Sequence, residues 1–288
     1  MVTSMAYEVS LVQRIDVLDV VHVAVDAGKK ILEIYHSEPD QWNVERKSDA
    51  SPLTRADQEA NRIICDALGK LGPHIPIISE ENKQLEYDVR KKYQCCWCVD
   101  PLDGTKEFLR RNGQFTVNIA LIHENKAVMG VVHTPCQGRT HWATLHQGAF
   151  VQEEDGTVAS IHCAPFHLSD RGLVLVGSNS HGSVETEEYV SQFAEPKFTA
   201  LGSSLKLMLV AEGKAHIYPR MAPTCEWDTA ASQIIVEEAG GRVVQAGLCD
   251  NKGKALESWR DALAKEEPLT YNKENLLNPF FVVYGARQ

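Results

Sequence analysis

The run Val99-Asp100-Pro101-Leu102-Asp103-Gly104-Thr105 leaves the backbone few paths. The apolar, β-prone stretch from Cys95 to Val99 leads into it and predicts a buried strand. Pro101 has no N–H for a sheet ladder, so the strand is expected to stop there. Gly104 permits a tight turn and close approach of the backbone to a ligand. Thr105-Lys106-Glu107-Phe108-Leu109 then reads as the start of a helix. Two carboxylates thus meet a helix N-terminus at the end of a strand. Carboxylates offer hard oxygen ligands to Mg²⁺, and helix N-termini attract phosphate.

Along the rest of the first half, Val17, Val20, Val21, Ala24, Ala27, Ile31, Ile34 and Tyr35 recur at helical spacing over residues 16–36. Pro39 ends that helix. Thr54 and Asp57 fit a capping box for a second helix, with Ala60, Ile63, Ile64, Ala67 and Leu68 on its apolar stripe. A short apolar strand over 75–78 precedes Glu80 and Glu81, a second acidic pair at a strand end. Residues 83–93 read as a loop or short helix. Residues 115–122 and 127–133 flank Glu124-Asn125 and predict a β-hairpin; Gly138 to Ala143 and Gly148 to Gln152 read as further strands. The first half, 1–155, is therefore two helices and then an antiparallel-rich sheet. In the second half, 156–288, strands at 173–176, 215–218 and 242–245 alternate with helices at 184–193, from Ser203-Ser204 to about Glu212, and from Glu226 to Ala239, which predicts α/β packing.

Asp49, Glu80, the Asp100/Asp103 pair and Asp228 each fall at a strand end or helix start. Brought together, they would hold two or three Mg²⁺ ions, with Asp100 bridging and the Leu102 carbonyl as a further ligand. Two such ions can clamp a transferring phosphoryl group. The Thr105 hydroxyl with a carboxylate partner would orient the attacking water. A net charge of −10 without a basic run argues against a nucleic-acid surface. No apolar stretch approaches the length of a membrane span. Eight cysteines, three clustered at 95, 96 and 98 and five scattered, without paired C-x-x-C motifs argue against structural zinc and for a reducing, cytoplasmic setting.

Four segments resemble the signatures of the inositol monophosphatase superfamily. They are Lys47-Ser48-Asp49 with Ser51-Pro52-Leu53-Thr54 and Ala56-Asp57; Ser79-Glu80-Glu81; Asp100 to Phe108; and Trp227-Asp228-Thr229-Ala230-Ala231. Lys106-Glu107-Phe108, residues 115–122, Gly202 to Lys206 and Tyr218-Pro219-Arg220 are most similar to its 3'(2'),5'-bisphosphate nucleotidase branch. The resemblance implies a layered α-β-α-β-α sandwich, α/β (α+β) in class, working as one catalytic unit with metals at the junction of its halves. It implies a lithium-sensitive, magnesium-dependent phosphomonoesterase that takes the 3'-phosphate from adenosine 3',5'-bisphosphate, with the sulfated nucleotide and inositol 1,4-bisphosphate as further substrates. An inositol phosphate phosphatase on the same scaffold is the alternative. Glu80, Asp100, the Leu102 carbonyl, Asp103 and Asp228 would ligate metal. Asp49 and Thr105 would orient water. Gly104 and Thr105 would receive the scissile phosphate; His181, Ser203, Lys206 and Arg220 would contact the nucleotide and its second phosphate. Three of these last four have a plainer reading: His181 and Ser203 as helix caps, and Arg220 paired with a surface carboxylate; Lys206, three residues after Ser203, would share its helix face and grip one anion with it. The expected enzyme is a monomer acting on a small molecule.

Overall fold

A computed structural model describes residues 6–10, 13–47, 51–71, 74–177, 183–250 and 254–288. Three helical layers and two sheets stack as five layers. Helices Val17–Tyr35 and Arg55–Leu71 cover one face of a seven-stranded sheet. Their inward residues, among them Val20, Ala24, Ile31, Ala60 and Ile64, close over Val117, Ile119 and Val131. Asp16 caps the first helix by accepting from Leu18 N at 3.0 Å. Past the turn at Pro39, Trp42 Nε1 donates to Ile34 O (2.8 Å), which also accepts from Ser37, so the helix end is tied down.

The seven-stranded sheet runs in the order Val158–Ile161, Ala149–Gln152, Arg139–Thr144, Lys126–Thr134, Thr116–His123, Cys95–Asp103, Ile77–Ser79. All neighbours are antiparallel except the last pair. The predicted hairpin is present, and Glu124 and Asn125 turn it with φ of 48° and 65°. Helices Leu205–Ala211 and Ala230–Glu238 fill the space between this sheet and a second one. Gly130 makes that seating possible, since a Cβ there would lie 2.3 Å from the Ala231 carbonyl oxygen. The second sheet orders Lys197–Ala200, Val174–Gly177, Ile217–Arg220, Phe281–Tyr284, Arg242–Gln245. Its outer face carries helices Val184–Val190 and Trp259–Leu263 around Leu175, Ile217, Tyr189 and Trp259. The α-β-α-β-α sandwich is thus the observed architecture.

Two expectations need correcting. The strand that begins at Cys95 does not stop at Pro101 but continues to Asp103. Asp100 pairs with Asn118 and Asp103 with Thr116, so Pro101 and Leu102 sit in a bulge opposite Val117. On the other side, the parallel neighbour pairs only as far as Val99. A proline past the end of one neighbour and inside a bulge on the other leaves no ladder bond unmade. Pro219 likewise lies within a strand rather than closing it, beyond Ile217, the last residue paired to the parallel neighbour. The sequence reading also passed over Phe281–Tyr284, which inserts antiparallel between Ile217–Arg220 and Arg242–Gln245.

Candidate active site

The bulge after Asp100 turns two carboxylates the same way. Asp100 Oδ1 accepts from Leu102 N at 3.1 Å, which fixes the turn from inside. Gly104 follows in the left-handed region (φ 100°), and a Cβ there would press on the Gln114 carbonyl oxygen at 3.0 Å. From Gly104 the helix Thr105–Leu109 starts without a side-chain cap. The third carboxylate comes from the opposite half. Asp228 closes the short turn Glu226–Asp228, where its Oδ2 accepts from Cys225 N at 2.7 Å. One oxygen each from Asp100, Asp103 and Asp228 lies within 4.8 Å of the others.

Such a group is unfavourable without a cation. Burial pushes the Asp100 carboxyl well above the ordinary range, and Glu80, Asp103 and Asp228 push it the same way. Burial, then Asp103 and Glu80, raise Asp228 to about 7. Three hard oxygen donors converging, each held by its own hydrogen bond, fit a divalent cation such as Mg²⁺. Glu80 stands beside them at the end of Ile77–Ser79, its N–H on Val99 O at 3.1 Å. Lys47 Nζ bonds Glu80 Oε1 and Glu81 Oε1, both at 2.6 Å.

Thr105 finds its carboxylate partner in Asp57. The Thr105 hydroxyl donates to Asp57 Oδ1 at 3.1 Å, while Thr54 N and Oγ1 donate to Asp57 Oδ2 at 2.7 and 2.5 Å. Burial, opposed by these bonds, raises Asp57 to about 6. Asp49, expected in this role, lies outside the described residues. Sequence reasoning assigned Asp57 only to the capping box. That box uses one carboxylate oxygen, and the other, on a side chain only 1% exposed, needed a partner from elsewhere.

Neither the Ser203 nor the Ser204 hydroxyl caps the helix, although Ser204 stands at its N-cap position. Ser203 has φ 53°, and the helix begins at Leu205 with no side-chain capping bond from Ser204. Both hydroxyls donate instead to Asp103 Oδ2, at 2.7 and 2.9 Å. Ser203 Oγ also meets Thr116 Oγ1 at 2.6 Å, and Asn118 Nδ2 donates to Ser204 Oγ at 2.9 Å. Lys206 does not reach the Ser203 hydroxyl; its Nζ donates to Ser203 O (2.6 Å) and lies 5.5 Å from the Tyr218 ring centre. Burial lowers Lys206 to about 8. Arg220 meets no carboxylate among the described residues. It donates to Pro223 O at 3.1 Å, and its buried Nε has no hydrogen-bond partner. These cations line a cleft of about 150 Å³ with Asp103, Gly104, Ser203 and Asp228. His181 lies outside the described residues. Trp227 packs against the inter-sheet core rather than facing a ligand.

The profile of the inositol monophosphatase family matches residues 13–279. The chain belongs to the inositol monophosphatase family. Within that family it is similar to the 3'(2'),5'-bisphosphate nucleotidase CysQ of Salmonella typhimurium, 43% identical over 92% of this chain and 97% of that protein. The CysQ of Escherichia coli K12 is 40% identical over the same shares. Among solved structures, CysQ from Bacteroides thetaiotaomicron superposes with a TM-score of 0.76 at 39% identity, covering 94% of this chain and 97% of that one. The inositol monophosphatase of Thermotoga maritima shares the fold, with a TM-score of 0.70 at 23% identity over 94% of this chain and 92% of that one. All eight cysteines of this family member are thiols. Among its described residues no helix is long and apolar enough to cross a membrane.

Proposed function

We propose that this family member is a magnesium-dependent phosphomonoesterase that removes the 3'-phosphate of adenosine 3',5'-bisphosphate to give AMP and phosphate. The observation that carries this reading is one cleft lined both by Asp103 and Asp228 of the acidic cluster and by the cations Lys206 and Arg220. A substrate with two phosphates needs two anion sites of this kind. The names of its CysQ relatives support the nucleotide as the substrate.

Glu80, Asp100, the Leu102 carbonyl, Asp103 and Asp228 would hold two or three Mg²⁺ ions. Bound there, the metal supplies Lewis acidity toward a phosphate oxygen and the attacking water. The protein's own part is positional. Thr105 donates its hydroxyl hydrogen bond to Asp57 Oδ1, which leaves an oxygen lone pair to accept from the nucleophilic water. The first N–H groups of the Gly104–Thr105 turn have no intrahelical partner and face the scissile phosphate. Ser203 and Ser204 hold one oxygen of Asp103, leaving the other for metal. Arg220 offers a planar fork to the second phosphate, with Lys206 lining the same cleft, and His181 is assigned to the nucleotide on the family resemblance alone. The halves 1–155 and 156–288 act as one catalytic unit, and the enzyme works as a monomer in the cytoplasm, a reducing setting that its eight thiols support. Lithium, which can enter a magnesium site with too little charge to sustain turnover, is expected to inhibit.

The purified protein with Mg²⁺ and a panel of mono- and bisphosphorylated nucleotides and inositols tests this directly. AMP and one equivalent of phosphate from adenosine 3',5'-bisphosphate are expected; faster release from inositol 1-phosphate would count decisively against the nucleotidase reading. Arg220→Ala is expected to raise KM for the bisphosphate about tenfold or more, the size of one charged hydrogen bond. KM for a nucleoside monophosphate should stay unchanged. Equal losses on both substrates would remove Arg220 from the second-phosphate site.

Protons and metal compete for the same oxygens. The rise in melting temperature on adding Mg²⁺ should therefore be largest near pH 8 and shrink toward pH 5.5, where Asp228, raised to about 7, is protonated. Differential scanning fluorimetry with EDTA controls reads this increment; a pH-independent increment would place the metal elsewhere.

A further inference from the structure

The turn that presents Asp228 is held from behind. Glu226, fully buried, accepts from Asn272 N, Lys273 N and Lys273 Nζ. On the far side of that segment stands Arg90, only 4% exposed. Its guanidinium donates to Asn272 Oδ1 (2.9 Å), Lys273 O (3.0 Å) and Glu274 O (3.1 Å), and its Nε to Leu85 O (3.0 Å). Asn272 Nδ2 returns a bond to Arg90 O at 2.7 Å. Arg90 ends the short helix Tyr87–Arg90, which follows the Glu80 turn. The Gln84 side chain closes that turn on Ser79 O and Asn82 O. Bonds therefore run from the loop of Glu80, in the first half, through Arg90 and Asn272 to Glu226, two residues before Asp228.

The two ends of this chain of bonds carry carboxylates that repel each other: Glu80 is among the charges that raise Asp228. A metal centre built from both needs their separation fixed before the ion arrives. Arg90 suits that task, because a planar guanidinium with three neighbouring carbonyl acceptors has few alternative arrangements. Groups that hold ligands in place, without touching the ion, commonly set metal affinity. We propose that the Arg90–Asn272–Glu226 strut sets the spacing between the Glu80 and Asp228 sides of the metal centre and so its affinity for Mg²⁺. Arg90 and Asn272 are positioning residues in this scheme, which rests on the magnesium phosphatase reading above.

Asn272→Ala deletes the two bonds that the Asn272 side chain makes with Arg90, while the Arg90 bonds to Lys273 O and Glu274 O and both backbone N–H groups on Glu226 stay. Calorimetric titration of the full-length protein with Mg²⁺ should show the dissociation constant raised about tenfold in Asn272→Ala and Arg90→Ala. The Mg²⁺ concentration for half-maximal phosphate release should rise in parallel, while KM for adenosine 3',5'-bisphosphate at saturating Mg²⁺ stays at the parent value. Should Arg90→Ala not fold, Asn272→Ala decides alone, with Asn272→Ser as the milder variant. Folded variants with a lower melting temperature and unchanged Mg²⁺ affinity would overturn the strut. A parent protein that binds no Mg²⁺ or releases no phosphate would instead overturn the phosphatase reading itself.

Discussion

Asp57→Asn is expected to lower kcat for phosphate release by about a hundredfold to a thousandfold, the range of a positioned proton acceptor. Three donors converge on the two Asp57 oxygens: Thr54 N, the Thr54 hydroxyl and the Thr105 hydroxyl. An amide can serve only one side of that arrangement. Its oxygen satisfies either the Thr54 pair or Thr105, and its NH₂ then faces a donor. Losing the Thr54 side would also weaken the cap of helix Arg55–Leu71, by about 1 kcal/mol. Thr105→Ala separates the two effects, since it leaves the cap intact and removes only the hydroxyl that orients water. Both variants should bind Mg²⁺ with parent affinity in calorimetry. Phosphate release at the parent rate in Thr105→Ala would refute this account of water activation.

Asp228→Asn should cost activity and add stability, depending on whether metal is present. Without metal, the folded-state pKa of Asp228 is about 7, above its value of 3.8 in a model peptide. A carboxyl raised in this way contributes stability that is complete below the ordinary carboxylate range. That contribution is lost as pH rises through about 7. Asparagine cannot ionise, and its side-chain oxygen can still accept from Cys225 N. The metal-free variant should therefore melt above the parent at pH 8 and close to it at pH 4. Adding Mg²⁺ should reverse the order at pH 8, because only the parent gains a charged ligand. Hydrolysis should fall about a thousandfold, corresponding to several kcal/mol of lost transition-state stabilisation. Thermal melts with EDTA and with Mg²⁺, at both pH values, read all of this. A variant whose melting temperature responds to Mg²⁺ as the parent's does would exclude Asp228 as a ligand.

Much of this molecule was legible before folding because its signals are local. The period of Val17 to Tyr35 marks one helix and one buried face whatever lies opposite. The Asp100-Pro101-Leu102-Asp103-Gly104-Thr105 run carries its turn and its helix start within a few residues, although the bulge that takes the strand past Pro101 appeared only in the fold. The strand Phe281–Tyr284 was hidden for the opposite reason. Its apolar residues qualify equally for a strand or a buried helix, and both of its partners lie far upstream.

The same division runs through the site. Which residues bear charge, and that Asp100, Asp103 and Asp228 sit at turns able to present them, follows from the sequence alone, because turn chemistry acts over three or four bonds along the chain. That Asp57 holds Thr105 across 48 residues, and that Ser203 and Ser204 turn from capping a helix to holding Asp103 across 100, was decided by the tertiary structure. A hydroxyl or carboxylate has more than one good partner nearby in sequence. Only burial, which penalises every unmade bond, selects among them, and burial exists only once the chain has packed.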